Sequence, residues 1–193
     1  MPIEVDEVQR LNEIAAATIE VARQRGVRAV TIRAVAQQLG GSTAMVTNYV
    51  SSRAALMYNA LRRAEEEWEH DKRDFLDGAE GEERLRSLVR WMCTTDDDDD
   101  ILRRLLIEIA SSEKGAAAEG IQRASRGHRE EIAAAVAEAG TPAPALTADI
   151  LYLLLRGYWL ATLEDAEGWP SERGAAAALA VLDLLERDQG LAR

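Results

Sequence analysis

Seven arginines, Arg23, Arg25, Arg28, Arg33, Arg53, Arg62 and Arg63, stand between residues 21 and 64 with no acid among them. The chain has 193 residues, 34 acidic side chains and a net charge of −11, so 44 consecutive positions without an acid mark a local site for a polyanion. Residues 1–64 sum to +3 and residues 65–193 to −14. That balance excludes a whole-surface polyanion binder and leaves a basic patch near the front. On charge alone, an apolar segment that happens to carry arginine is an equal reading.

Other chemistry has little to work with. His70 and His128 lie far apart without cysteine partners, and the single Cys93 excludes both an intramolecular disulfide and a cysteine-rich zinc module. The run Asp96 to Asp100 could attract a cation, but no oxygen-donor loop surrounds it, and acids ahead of Ile101 and Leu102 suit a helix start. We therefore expect no metal and no cofactor. There is no Gly-x-Ser-x-Gly elbow, no phosphate-binding glycine loop and no histidine placed for a triad, so an enzyme is not expected.

The apolar runs Ile150 to Leu155 and Ala175 to Leu182 are far short of the ~20 residues that span a bilayer. The acidic start lacks a charged-then-apolar leader. A soluble cytoplasmic chain without a membrane partner is the expectation.

The elements that must position the basic segment read as helices. Leu11, Ile14, Ala15, Thr18, Ile19 and Ala22 recur at three- and four-residue steps, giving a helix that should stop at Gly26. Thr31 suits an N-cap, Ile32, Val35, Ala36 and Leu39 supply a short apolar face, and Gly40 is a left-handed stop. Ser42 caps a second short helix with Val46 and Val50 inward. Ser51 or Ser52 opens a third, on which Leu56, Ala60, Ala64 and Trp68 keep rhythm toward Gly78. From Arg53 to Asp77 such a helix would stretch roughly 37 Å. Beyond it, helices are expected at about 82–94, 101–113, 116–139, 146–164 and 172–189, and no segment alternates in the period of a strand.

Two short helices joined by a glycine turn, behind a longer helix and inside an acid-free segment, form a helix-turn-helix arrangement. The stretch Thr31-Ile32-Arg33-Ala34-Val35-Ala36, Gly40-Gly41-Ser42 and Thr47 to Leu56 resembles the tetracycline-repressor (TetR) family of bacterial transcriptional regulators. That family's pattern runs Thr-x-x-x-(Ile/Val)-Ala, Gly-Val-Ser and Tyr-x-x-Phe-x-x-Lys-x-x-Leu. Thr31, Val35, Ala36, Gly40, Ser42 and Leu56 match, with Arg53 as a basic equivalent. Gly41, Thr47 and Val50 depart from it, and the last two replace an aromatic pair.

The resemblance implies an all-α fold. A helix-turn-helix DNA-binding domain would occupy 1–52, a connecting helix 53–78, and an effector-binding and dimerisation bundle 79–193. It implies that the helix from Thr43 to Tyr49 enters the major groove, presenting Thr43, Ala44, Thr47 and Asn48, where an amide can pair with adenine. Thr31, Arg33, Ser42, Tyr49 and Arg53 belong to the same interface, with Thr31, Arg33, Tyr49 and Arg53 on phosphates. Repression would follow from a dimer on a near-palindromic operator of double-stranded DNA, released by a small-molecule effector.

The acidic remainder agrees in character. Residues 150–155 and 175–182 are apolar all round, so both helices need cover on more than one side, and a second copy of the chain is one source. Ile150, Leu154, Gly157, Ala161, Ala175, Ala178 and Leu182 are the candidate homodimer contacts. Trp91, Met92, Cys93, Tyr152 and Trp159 are candidate liners of an apolar effector pocket, with ordinary core packing as the plainer alternative. A helical adaptor that keeps a degenerate helix-turn-helix and binds only protein is the rival reading of the whole chain.

Overall fold

The computed structural model describes residues 3–94, 99–112 and 114–188. Its helices are α1 (Ile3–Arg25), α2 (Ile32–Gln38), α3 (Thr43–Thr47), α4 (Arg53–Phe75), α5 (Gly81–Met92), α6 (Asp99–Ser112), α7 (Ala116–Glu138), α8 (Pro144–Glu164) and α9 (Ser171–Asp188). A 3-10 turn at Val27–Ala29 precedes α2, and no strand occurs among the described residues. The all-α class expected from the sequence is the class observed. Part of the acidic run, Asp96 to Asp98, lies outside the described residues.

Local signals set the boundaries at the front. The Thr31 hydroxyl accepts from the Ala34 amide at 3.1 Å and the Ser42 hydroxyl from the Met45 amide at 3.3 Å, each satisfying a donor left over at a helix start. Ser52 caps α4 in the same way, through the Ala55 amide at 3.1 Å. Gly40 ends α2 in the left-handed region at φ 67°, so that Gly40 donates to the Gln37 carbonyl and Gly41 to the Ala36 carbonyl. That pair of reversed bonds requires a residue at ease with positive φ, and glycine is one.

The described residues fall into two compact units, one drawn from 1–69 and 97–123, the other from 70–96 and 124–193. The first buries Ile14, Val21, Val35, Val46, Leu56 and Met57 together with Leu102, Leu105 and Ile109 of α6. Helix α6 therefore packs with α1 and the 3-10 turn, inside the unit that holds the helix-turn-helix. Asn59 of α4 donates to the Leu11 carbonyl of α1 at 2.8 Å. Gly120 of α7 meets the Tyr58 ring of α4 so closely that a Cβ there would lie 2.4 Å from it.

The second unit is built on Leu85, Leu88, Val89, Ile132, Val136, Leu151, Leu155 and Leu182. Within it, Arg86 ties α5 to α9 through Asp183 at 2.6 Å and Glu186 at 3.3 Å, with Glu82 at 2.7 Å beside it. Its hydrogen bonds with Asp183 and Glu82 hold the guanidinium pKa even above its ordinary high value. Among the described residues, no helix is long and apolar enough to cross a membrane.

Candidate functional site

The helix-turn-helix puts an apolar back against the core and a polar front outward. Val35, Ala36, Val46 and Val50 are buried, while Thr31, Arg33, Ser42, Thr43, Ala44, Thr47, Asn48 and Tyr49 are all exposed. Val50 fills the place of one aromatic of the family pattern and is almost wholly covered. Thr47, in the place of the other, is exposed and turns its hydroxyl back on the Ala44 carbonyl at 3.4 Å. The expected helix from Thr43 to Tyr49 is shorter than its sequence suggested, closing at Thr47 with Asn48 as its C-cap.

Six of the seven arginines divide into two groups of three. Arg23 pairs with Glu20, Arg62 with Glu66 and Arg63 with Glu67, all one helical turn apart. Arg25, Arg28 and Arg33 are exposed and make no ion pair with any described residue. Positive charge is thus left available beside the 3-10 turn and on α2.

Arg53 does not share that availability. Expected at a phosphate, its guanidinium instead turns inward, with Nε donating to the Val30 carbonyl at 2.9 Å and Nη2 to the Val27 carbonyl at 3.1 Å. Nη1 lies 3.1 Å from Glu108 Oε1. The side chain keeps only 27% of its exposure, because acceptors from its own unit surround it. Sequence position indicates a charge at this place, and only the packing tells where it points.

In the second unit Trp159 meets the C-terminal end of α5, where Trp91, Met92 and Cys93 lie, while Tyr152 turns to Ser125 of α7. Trp159 Nε1 donates to the Met92 carbonyl at 3.0 Å, and the Tyr158 hydroxyl donates to the Cys93 carbonyl at 3.0 Å. Cys93 itself is fully buried. The Tyr152 hydroxyl lies 2.5 Å from that of Ser125. Arg156 lies over both the Trp159 ring, at 5.1 Å, and the Tyr152 ring, at 5.8 Å. His128 meets Trp159 edge-on at 6.3 Å.

Trp91 stands under Lys72, whose ammonium is 5.6 Å from the ring and 2.6 Å from Glu131. Nothing in the spacing marks Tyr158, Ser125, Arg156 or Lys72, and His128 stands out there only as a metal-ligand candidate. Spacing on one helix does not say which residues of another it meets. An open hollow of about 560 Å³ adjoins Lys72 and is lined also by Arg73, Leu76, Arg84 and Glu138. Its mixed charges do not resemble the mostly apolar lining of a small-molecule site.

The expected dimer residues separate as well. Ile150, Leu154, Ala161 and Ala175 are half-buried and Gly157 is open, with nothing within 4 Å of where its Cβ would stand. Ala178 and Leu182 are fully buried in the core of their own unit, which corrects their placement on an outer face. The apolar surface left outside runs along Leu146, Leu153 and Leu160 of α8, spaced by seven, and Leu184 of α9.

No family model matches the sequence, and no curated protein does. Solved structures do match. A transcriptional regulator from Rhodococcus sp. Rha1 superimposes with a TM-score of 0.79 at 19% identity, over 92% of this chain and 96% of that one. A TetR transcription regulator from Haloarcula marismortui gives 0.77 at 17% identity, over 94% and 98%. The multidrug binding protein EbrR, complexed with imidazole, gives 0.68 at 21% identity, over 92% and 90%. The chain has the fold of TetR-type transcriptional regulators.

Proposed function

We propose that this protein is a ligand-responsive, DNA-binding transcriptional regulator. It acts as a repressor that holds a near-palindromic operator as a homodimer and leaves it when a small molecule binds. The observation that carries this reading is the exposed front of α2 and α3. Arg33, Thr43, Ala44, Thr47, Asn48 and Tyr49 face outward from a segment without acids, backed by buried valines. Asn48 and the threonines supply base-edge contacts, and Arg33, with Arg25 and Arg28 nearby in sequence, supplies phosphate contacts. Two-fold pairing would set the two reading helices about 34–36 Å apart, one turn of the duplex.

The division proposed assigns 1–52 to DNA, 53–78 to connection, and 79–193 to effector and second copy, with α6 of the last stretch packed in the unit of the helix-turn-helix. The effector site proposed draws on Trp91, Met92, Cys93, Tyr152 and Trp159. The dimer face proposed is the outer side of α8 and α9, led by Leu153 and Leu160 and flanked by Ile150, Leu154, Gly157, Ala161 and Ala175. The fold shared with regulators supports this reading, as does EbrR, a neighbour of that fold complexed with a small molecule.

Selection of bound fragments from the source genome tests the reading. A few sequences with inverted symmetry should be enriched, and affinity for them should fall steeply and log-linearly with salt. Binding without sequence preference at any salt concentration would favour the helical adaptor. For any effector found through the neighbouring genes, operator DNA must weaken its binding by the factor with which it weakens the operator.

A further inference from the structure

Arg53 is the first residue of α4, directly after the segment that carries α3. Its fork reaches acceptors on two other stretches of chain. These are the carbonyls of Val27 and Val30, which belong to the turn between α1 and α2, and the carboxylate of Glu108 on α6. Glu108 sits in α6 beside Ile109 and near Leu105, both fully buried in the same core, so the carboxylate stands on a fixed base. Val30, between the turn and the Thr31 cap, is itself fully buried. A planar guanidinium can serve two carbonyls and a carboxylate at once, whereas an ammonium, a compact point charge on a flexible stem, does not reproduce that fork.

We propose that Arg53 is a positioning residue. Held by Glu108, it fixes the α1–α2 turn, and with it α2 and the reading helix α3, against α6. It contributes to sequence recognition through this placement and not by touching phosphate. The inference rests on the DNA-binding reading above, and it reverses the phosphate role that the family pattern implies for this position.

The test compares full-length wild type with Arg53→Lys, Arg53→Met and Glu108→Gln. Each is titrated from 50 to 200 mM salt against a random-sequence 30-base-pair duplex and against the best genomic fragment. Amide exchange of residues 27–32 is followed without DNA. A positioning Arg53 predicts that Arg53→Lys, although it keeps the charge, lowers the ratio of specific to random binding by about tenfold, equivalent to ~1.4 kcal/mol. Arg53→Met should do the same without changing the salt slope on random DNA, and Glu108→Gln should lower the ratio in the same sense. Exchange in the turn should speed up in all three.

The result that overturns the proposal is an Arg53→Lys protein with the wild-type ratio and exchange, beside an Arg53→Met protein whose slope has dropped by about one phosphate. Wild-type protein that binds neither duplex defeats the DNA-binding reading instead. Unchanged exchange in all three variants would then defeat the clamp on its own account.

Discussion

Replacing Leu153 by alanine should weaken self-association while leaving the single chain almost as stable as before. Leu153 is 68% exposed, with Leu146 and Leu160 at 57% and 51% one heptad to either side and Leu184 of α9 at 63%. Full burial of a leucine is worth ~1.5–3 kcal/mol, so covering the exposed two thirds would contribute ~1–2 kcal/mol. A two-fold interface repeats every contact, which makes the loss ~2–4 kcal/mol per dimer, or a dissociation constant ~30- to ~700-fold higher. The folding free energy of the protomer should move by less than ~0.5 kcal/mol, as for an exposed site. Leu182→Ala is the contrasting variant. It empties a fully buried position and should cost ~2–5 kcal/mol of folding. Sedimentation equilibrium over a concentration series reads the first quantity and denaturant unfolding the second. A Leu153→Ala dimer within threefold of wild type would refute this face as the interface, and a wild-type protein that stays monomeric at high concentration would refute the dimer.

Gly120→Ala gains ~1 kcal/mol of helix propensity but drives a methyl to 2.4 Å from the Tyr58 ring, an overpacking cost of ~1–3 kcal/mol. It should lower stability in the wild type and raise it in a Tyr58→Leu background. Gly127→Ala, on the same helix with nothing within 4 Å, should raise it in both, as urea titration would report. Burial first, and then Glu69, hold the Glu65 pKa above its ordinary value. The folded state therefore keeps this proton to higher pH than the unfolded chain, and the ionised carboxylate is a penalty at neutral pH that is relieved as pH falls through the raised pKa. Glu65→Gln should accordingly raise the melting temperature at pH 7, with the gain shrinking toward the ordinary glutamate range near ~4.3. On DNA, Asn48→Ala should cost ~1–3 kcal/mol on the preferred fragment at unchanged salt slope. Arg33→Ala should weaken all sequences alike and reduce the slope by about one, as salt titrations on both duplexes would report.

The sequence alone determined the features that close within four or five residues. Thr31, Ser42 and Ser52 each cap a helix whose start they precede by one position, and Gly40 closes α2, because the atoms that bond there are held together by the chain itself. The outward front of α2 and α3 was legible for the same reason: the valines at 35, 46 and 50 declare which side is buried. Tertiary structure alone decided which partner each apolar face meets. Helix α6 joins the unit of the helix-turn-helix, Ala178 and Leu182 close their own core while Leu153 and Leu160 remain outside, and Arg53 turns to Val27, Val30 and Glu108. Periodicity shows that a helix has an apolar side, and residue type shows that an arginine has donors. Neither carries the direction in which a distant segment will arrive, and that direction is fixed only when the whole chain has packed.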